Sequence, residues 1–142
     1  MTEQALRALL ASVRDGSRSV DDAIARLRSL PFEDIGFAKI DHHRSIRCGF
    51  PEVIYGGGKS PEQIAAIFDR CANAGANVIV TRVAREAFET VSRAHPKAEY
   101  HEAPRMITLR QGEPVPSPGT IAIVAAGTSD LPVAEEARRL RQ

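Results

Sequence analysis

The sequence predicts an α/β protein in two parts. An N-terminal α/β domain, preceded by a helical hairpin, is followed by the first βα unit of a truncated, doubly wound parallel-sheet domain. Three observations predict this. Short apolar runs of strand length alternate with stretches of helical periodicity. A proline-punctuated segment interrupts the pattern at residues 112–119. The last residues, 120–142, then restart the order of strand, small-residue turn and helix that occurs once before, at Tyr55. The parts are therefore 1–111, with the hairpin in 1–30, a linker at 112–119, and 120–142.

Two helices open the chain. Leu6, Leu9, Leu10 and Val13 form one apolar stripe and Val20, Ala23, Ile24 and Leu27 a second, with Asp15-Gly16-Ser17 between them. Ser19 suits the cap of the second helix, Asp21 and Asp22 follow in its first turn, and Pro31 closes it. Neither helix has a basic face, which argues against a DNA-reading helix-turn-helix. Residues 36–40 read as a strand, Phe37 and Lys39 on one face and Ala38 and Ile40 on the other. After a polar loop at 41–49, a strand at 51–55 ends in Gly56-Gly57-Gly58-Lys59. Ser60 as cap, Pro61 at the first position and Gln63 closing a capping box start the next helix. That helix turns Ile64, Ile67, Phe68 and Cys71 to one side and stops at Gly75. Residues 77–81 are a buried strand, and 84–94 a helix with Ala84, Ala87, Phe88 and Val91 inward, ended by His95-Pro96. Strands at 98–101 and 106–109 complete the domain. Prolines at 114, 116 and 118 make the spacer extended and semi-rigid.

The final segment opens with the apolar run Thr120-Ile-Ala-Ile-Val-Ala-Ala126, suited to a strand covered on both faces. It enters Gly127-Thr128-Ser129-Asp130, where Asp130 can cap a helix that carries Pro132 in its first turn. Glu135 and Glu136 precede Arg138, Arg139 and Arg141, in keeping with the helix dipole. Such a turn is an anion site of the kind found in nucleotide-binding domains. One βα unit cannot cover both faces of its strand, so more chain or a partner is expected, and self-association with it.

Composition sets outer bounds. The chain has 142 residues, 43% hydrophobic and 26% charged, which is the balance of a globular protein. A formal charge of +1 provides no general field for nucleic acid or membrane, so neither is expected as a partner and anion binding must be local. No apolar stretch approaches the roughly 18 residues of a membrane span, and the first residues lack a leader pattern, so a cytoplasmic location is expected. Cys48 and Cys71 form no Cys-x-x-Cys motif and are expected as reduced thiols.

The densest run of candidate site residues is Asp41-His42-His43-Arg44-Ser45-Ile46-Arg47-Cys48-Gly49-Phe50-Pro51-Glu52, continuing to Lys59. Arg44 and Arg47 offer guanidinium forks for phosphate or carboxylate; alternatively, Asp41 and Glu52 simply pair with them in a solvated loop. Gly58-Lys59-Ser60 resembles the end of a P-loop, but Val53 stands where that pattern needs its first glycine, so a glycine turn before a capped helix remains the competing explanation. Cys48, beside Arg47, is a candidate thiolate nucleophile, whereas Cys71 on an apolar helix face reads as core. Adjacent His42 and His43 point apart in extended chain and do not readily chelate one metal; no metal is expected. Gly127, Thr128, Ser129 and Asp130 suit a sugar-phosphate, Asp130 also proton transfer, although pure capping explains them too.

Taken together, the run from Asp41 to Lys59 resembles the LarB family, which carboxylates nicotinate adenine dinucleotide for the nickel-pincer nucleotide cofactor of lactate racemase. The resemblance extends over the whole chain. Its C-terminal part is similar to the aminoimidazole ribonucleotide carboxylase and mutase family, whose phosphate loop reads Gly-Ser-x-Ser-Asp. Ser129 and Asp130 match that loop, while Ala126 and Gly127 replace its first glycine and serine, and Thr128 is a candidate substitute for the missing serine.

The resemblance implies carboxylation at the pyridinium ring and hydrolysis of the phosphoanhydride to AMP and pyridinium-3,5-biscarboxylate mononucleotide. Bicarbonate or carbon dioxide is the co-substrate, and no covalently bound cofactor is implied. It also implies a cysteine nucleophile far downstream of the Ser-Asp loop, which neither Cys48 nor Cys71 matches. This chain is accordingly expected to be a truncated and inactive part of a homo-oligomeric enzyme, in which Gly127, Thr128, Ser129, Asp130, Asp41, Arg44, Arg47 and Lys59 contact substrate. The set is expected to share one cleft. Two alternatives stand: a non-catalytic nucleotide- or anion-binding module, and a purine-type carboxylase, against which the first domain argues.

Overall fold

The computed structural model describes residues 3–28, 32–42, 44, 50, 52–112 and 119–140. His43, Arg47, Cys48, Pro31, Pro51, Arg141 and the linker prolines lie outside the described residues. Helices α1 (Glu3–Arg14) and α2 (Val20–Arg28) form the expected hairpin, with Leu9 and Ala23 buried. Asp15 closes the turn by accepting from both the amide and the hydroxyl of Ser17, at 3.0 and 2.7 Å. Ser19 caps α2, its Oγ accepting from the Asp22 amide at 3.1 Å.

Strands β1 (Glu33–Asp34) and β2 (Lys39–Ile40) then pair antiparallel, Glu33 opposite Ile40. The strand expected over residues 36–40 is thus confined to its last two. Gly36 has φ +87° and donates its amide to Asp34 Oδ1 at 2.8 Å, so Gly36 and Phe37 form the turn and leave Phe37 exposed. An apolar alternation did not outweigh an aspartate positioned to capture a nearby amide.

The main sheet comprises β3 (Val53–Tyr55), β4 (Val78–Thr81), β5 (Glu99–His101) and β6 (Met106–Leu109), in the order β3-β4-β6-β5. β3 and β4 are parallel, and the other pairings are antiparallel. Helix α3 (Pro61–Asn73) makes the parallel crossover, and α4 (Arg85–Ala94) leads from β4 to β5. The fold is therefore α/β with a mixed sheet.

The start of α3 forms the anticipated reciprocal box. Ser60 Oγ accepts from the Gln63 amide at 3.3 Å while Gln63 Oε1 accepts from the Ser60 amide at 3.0 Å. At its end, Gly75 at φ +75° donates to Ala72 O and Ala76 donates to Cys71 O, a Schellman closure. Val78 lies opposite Leu109 and Val80 opposite Ile107, so one face of the sheet meets Ile64, Ile67, Phe68 and Cys71 of α3 and Ala87 and Val91 of α4. Phe68 is fully buried, worth about 1.5–3 kcal/mol in apolar transfer. Its ring lies 5.2 Å from that of His95, whose Nε2 meets Asp69 Oδ1 at 3.1 Å and ties the end of α4 to α3. Ala84 is not inward: it is the exposed N-cap residue of α4.

Beyond β6 the chain is tied back. Asn77 Oδ1 accepts from the amides of Gln111 and Gly112, and the Gln111 side-chain amide donates to Ala72 O and Ala76 O at 2.8 and 2.7 Å. Among the described residues, 120–126 have no sheet partner, and they are exposed, Val124 at 91%. The strand expected there is not formed, because a parallel strand requires neighbours for its backbone N–H and C=O groups. The helix that follows does form, as α5 (Leu131–Leu140), with Pro132 in its second position.

A β-carbon on Gly56 would lie 2.2 Å from Val83 Cγ1 and 2.9 Å from Thr81 O. Urea unfolding is expected to show Gly56→Ala destabilised by about 2–3 kcal/mol, against about 1 kcal/mol for loss of the α3 cap in Ser60→Ala.

Candidate functional site

Parallel strands β3 and β4 deliver the chain to the same edge of the sheet, the edge at which open parallel sheets bind ligands. After β3, residues 56–59 form a tight turn closed by Lys59 N–H to Gly56 O at 3.1 Å, with Gly58 at φ +78°. After β4 come Arg82, Val83 and Ala84. Between the two lies a cleft of about 250 Å³, bordered also by Pro61 and Ile64 of α3, Glu86 and Ala87 of α4, and Arg105.

Among the described residues, three cations, Lys59, Arg82 and Arg105, border this cleft against one carboxylate, Glu86. The Lys59 ammonium donates to Tyr55 O at 2.8 Å and lies 5.9 Å from the centroid of the Tyr55 ring, so its position is set by the strand it follows. Among the described residues, Arg82 and Arg105 are the non-glycine residues with left-handed backbone, at φ +57° and +52°. That conformation costs roughly 1–2 kcal/mol for each. The β5–β6 turn holds them in place. Val83 N–H donates to Arg105 O at 3.0 Å, and Arg105 Nε donates to Val83 O at 3.4 Å. The two helices that start here differ. α3 is capped by Ser60, whereas Ala84 provides no side-chain cap to α4. The arrangement can hold an oxyanion against guanidinium donors and glycine backbone.

Of the residues singled out in the sequence, Lys59 borders the cleft. Asp41 and Arg44 occupy a turn after β2, with Arg44 N–H directed at Asp41 O at 3.5 Å, and are not among the cleft's bordering residues. Arg44 Nε lies 3.8 Å from Glu52 Oε2, the ion pair that the solvated-loop alternative requires. Arg47 lies outside the described residues. His42 Nε2 meets Glu33 Oε2 at 2.9 Å, and Arg70 reaches the same carboxylate at 3.4 Å. Gly127, Thr128, Ser129 and Asp130 form the turn into α5, closed by Asp130 N–H to Gly127 O at 3.1 Å. Asp130 takes the N-cap position, its carbonyl accepting from Ala134 N–H at 2.9 Å. A β-carbon on Gly127 would lie 3.5 Å from Asp130 Oδ2 and 3.6 Å from Ser129 Oγ, so both polar groups fold over that glycine.

Arg82 and Arg105 carry no mark of a site in the sequence. Each is a single arginine flanking an apolar strand, a common pattern that carries no signal of convergence. Their placement at one cleft depends on β6 lying beside β4. Among the described residues, no helix is long and apolar enough to cross a membrane.

Burial, with Glu52 and Glu33 adding to it, pushes the Cys71 thiol up to about 11. Cys71 is therefore a core residue and not a thiolate at neutral pH. Mass spectrometry after iodoacetamide at pH 8 is expected to find Cys71 unmodified in the folded protein and alkylated in urea. His101, hydrogen-bonded to Thr108 Oγ1 at 2.8 Å, has its pKa lowered by burial first and by Arg139 of α5 second. The folded state thus resists protonating it, and stability falls as pH drops below about 6.5, the ordinary imidazole value. His101→Gln is expected to flatten that decline in pH-dependent melting.

Two comparisons bear on identity. A protein of Methanocaldococcus jannaschii named "Uncharacterized protein MJ0165" is 31% identical over 142 aligned residues, covering 94% of this chain and 55% of the relative. The chain thus spans about half the length of that curated relative. Residues 32–111, which contain every residue bordering the cleft, match the family described as "LarB/PurE-like N-terminal domain". The chain belongs to the LarB/PurE-like N-terminal domain family.

Proposed function

We propose that this chain contributes the anion-recognising N-terminal part of a carboxylase that acts on nicotinate adenine dinucleotide in nickel-pincer cofactor biosynthesis. The reaction forms a carbon–carbon bond from the pyridinium ring to carbon dioxide and releases the ring hydrogen as a proton, or as water when bicarbonate is the donor. Water added across the phosphoanhydride releases AMP and pyridinium-3,5-biscarboxylate mononucleotide. The observation that carries this reading is the convergence of Lys59, Arg82 and Arg105 on one glycine-bordered cleft within the family's own domain. A dinucleotide presents two linked phosphates, and guanidinium forks bind such oxyanions through paired, charge-assisted hydrogen bonds.

Ser129 and Asp130, with Gly127 and Thr128, would hold a sugar-phosphate at the start of α5, and Asp130 is the proposed proton-transfer group there. Asp41, Arg44 and Arg47 complete the proposed substrate contacts. The exposed apolar run of residues 120–126 suits a strand completed by further sheet partners, either from longer chain or from a homo-oligomer. Neither Cys48 nor Cys71 matches the family's nucleophile, so the 142-residue chain alone is proposed to be inactive. A second reading, a non-catalytic anion-binding module, is favoured by one fact: every described residue bordering the cleft belongs to residues 32–111.

Incubation of the complete gene product with nicotinate adenine dinucleotide and bicarbonate is expected to yield the dicarboxylated mononucleotide and AMP by mass spectrometry. Arg105→Asn, which removes a charged phosphate contact while keeping a residue that tolerates φ above zero, is expected to lower kcat/KM by roughly 10- to 100-fold. Absence of both products would sink the carboxylase reading. Saturable binding without turnover would leave the module in its place.

A further inference from the structure

We propose that Arg82 is shared by two mutually exclusive anions: a phosphate bound in the cleft, and the carboxylate of Glu136 on the terminal helix. Phosphate binding then unlatches α5 from the first domain. This rests on the reading of the cleft as a phosphate site.

The physical basis is a contact across 54 residues of chain. Arg82 Nε donates to Glu136 Oε2 at 2.7 Å, the length of a charge-assisted hydrogen bond. The Glu136 side chain is only 15% exposed, whereas that of Arg82, a residue bordering the cleft, is 50% exposed. A carboxylate already on this guanidinium shows that an oxyanion can reach and align with it. The guanidinium has donors enough for both, but a phosphate and the Glu136 carboxylate on one guanidinium would be like charges only a few ångströms apart, so binding of one disfavours the other.

Two features make the Glu136 contact exchangeable. The described residues of α5 include none that is fully buried, and the preceding run of residues 120–126 is exposed, so little apolar packing anchors the helix. Arg82, at 50% exposure, also keeps its end of the ion pair open to solvent screening, which holds the pair to about a fivefold effect on an equilibrium. A phosphate carries more charge than a carboxylate and finds Arg105 and Lys59 bordering the same cleft, so it can outcompete Glu136 for Arg82. The exchange links ligand occupancy to the position of the segment that bears Ser129 and Asp130.

The test uses the 142-residue chain, inorganic pyrophosphate as probe, calorimetric titration at low salt, and amide hydrogen exchange over residues 131–140. Wild type is expected to bind saturably, Glu136→Gln to bind up to about fivefold more tightly, and Arg82→Asn to bind at least about tenfold more weakly. Asparagine tolerates the left-handed backbone at residue 82, and Arg105→Asn provides a second cation deletion that leaves the Glu136 contact intact. Pyrophosphate is expected to raise exchange in residues 131–140 of wild type to the level of Glu136→Gln, whose own exchange does not change further. If wild type binds and the arginine variants weaken binding, but Glu136→Gln changes neither affinity nor exchange, the sharing is refuted and the phosphate cleft stands. If neither wild type nor Glu136→Gln binds pyrophosphate saturably, both the sharing and the phosphate cleft are refuted.

Discussion

The contact on which the cleft depends is the one that leaves no room for a side chain at residue 56. Gly56 lies against the exit of β4, its amide donating to Thr81 O at 2.8 Å and its Cα facing Val83. Only this approach lets the chain leaving β3 turn at once beside the chain leaving β4. The turn then sets Lys59, while the β4 exit, bonded to the β5–β6 turn, sets Arg82 and Arg105. The glycines thus have structural reasons of their own: close packing at Gly56, contact with the Tyr55 ring at Gly57 and positive φ at Gly58. A ligand is not needed to explain them. The site they create is a consequence of how they pack.

The same economy runs through the titratable groups. His42 is paired with Glu33 and His95 with Asp69, while Cys71 is sealed in the core with its thiol proton retained. These contacts join β2 to β1 and α4 to α3, so they read as fastenings. The cations of the cleft differ from them. Their partners are mainly backbone carbonyls and the distant carboxylate of Glu136, and they keep charge at an open edge of the sheet. A chain with formal charge +1 therefore gathers three cations where two parallel strands end, without any overall basic character.

Local signals were legible where the chemistry is local. The Ser60 box, the Gly75 closure, the core face of α3 and the strands at 78–81 and 106–109 could all be read from spacing, because each depends on residues within a turn or two of one another. Residues 36–40 misled because alternation is a weak signal over so short a stretch, and Asp34 with Gly36 formed a turn instead. Ala84 misled for a similar reason: helical periodicity extends past the cap, but the chain at a cap is already extended. Residues 120–126 have the composition of a strand but find no strand partner among the described residues, and no sequence pattern supplies hydrogen bonds that must come from elsewhere.

From its sequence alone, this chain determined its α/β class, its helix starts and stops, the apolar faces and the run of residues by which its family is recognised. These depend on propensity, capping and periodicity, which act over short separations. Only the tertiary structure decided that Arg82 and Arg105 border the same cleft as Lys59, that Glu136 reaches Arg82, and that Asp41 and Arg44 are not among the residues bordering that cleft. Those outcomes follow from strand order, with β6 inserted between β4 and β5, and strand order is set by which faces bury together, not by any residue's neighbours in the chain.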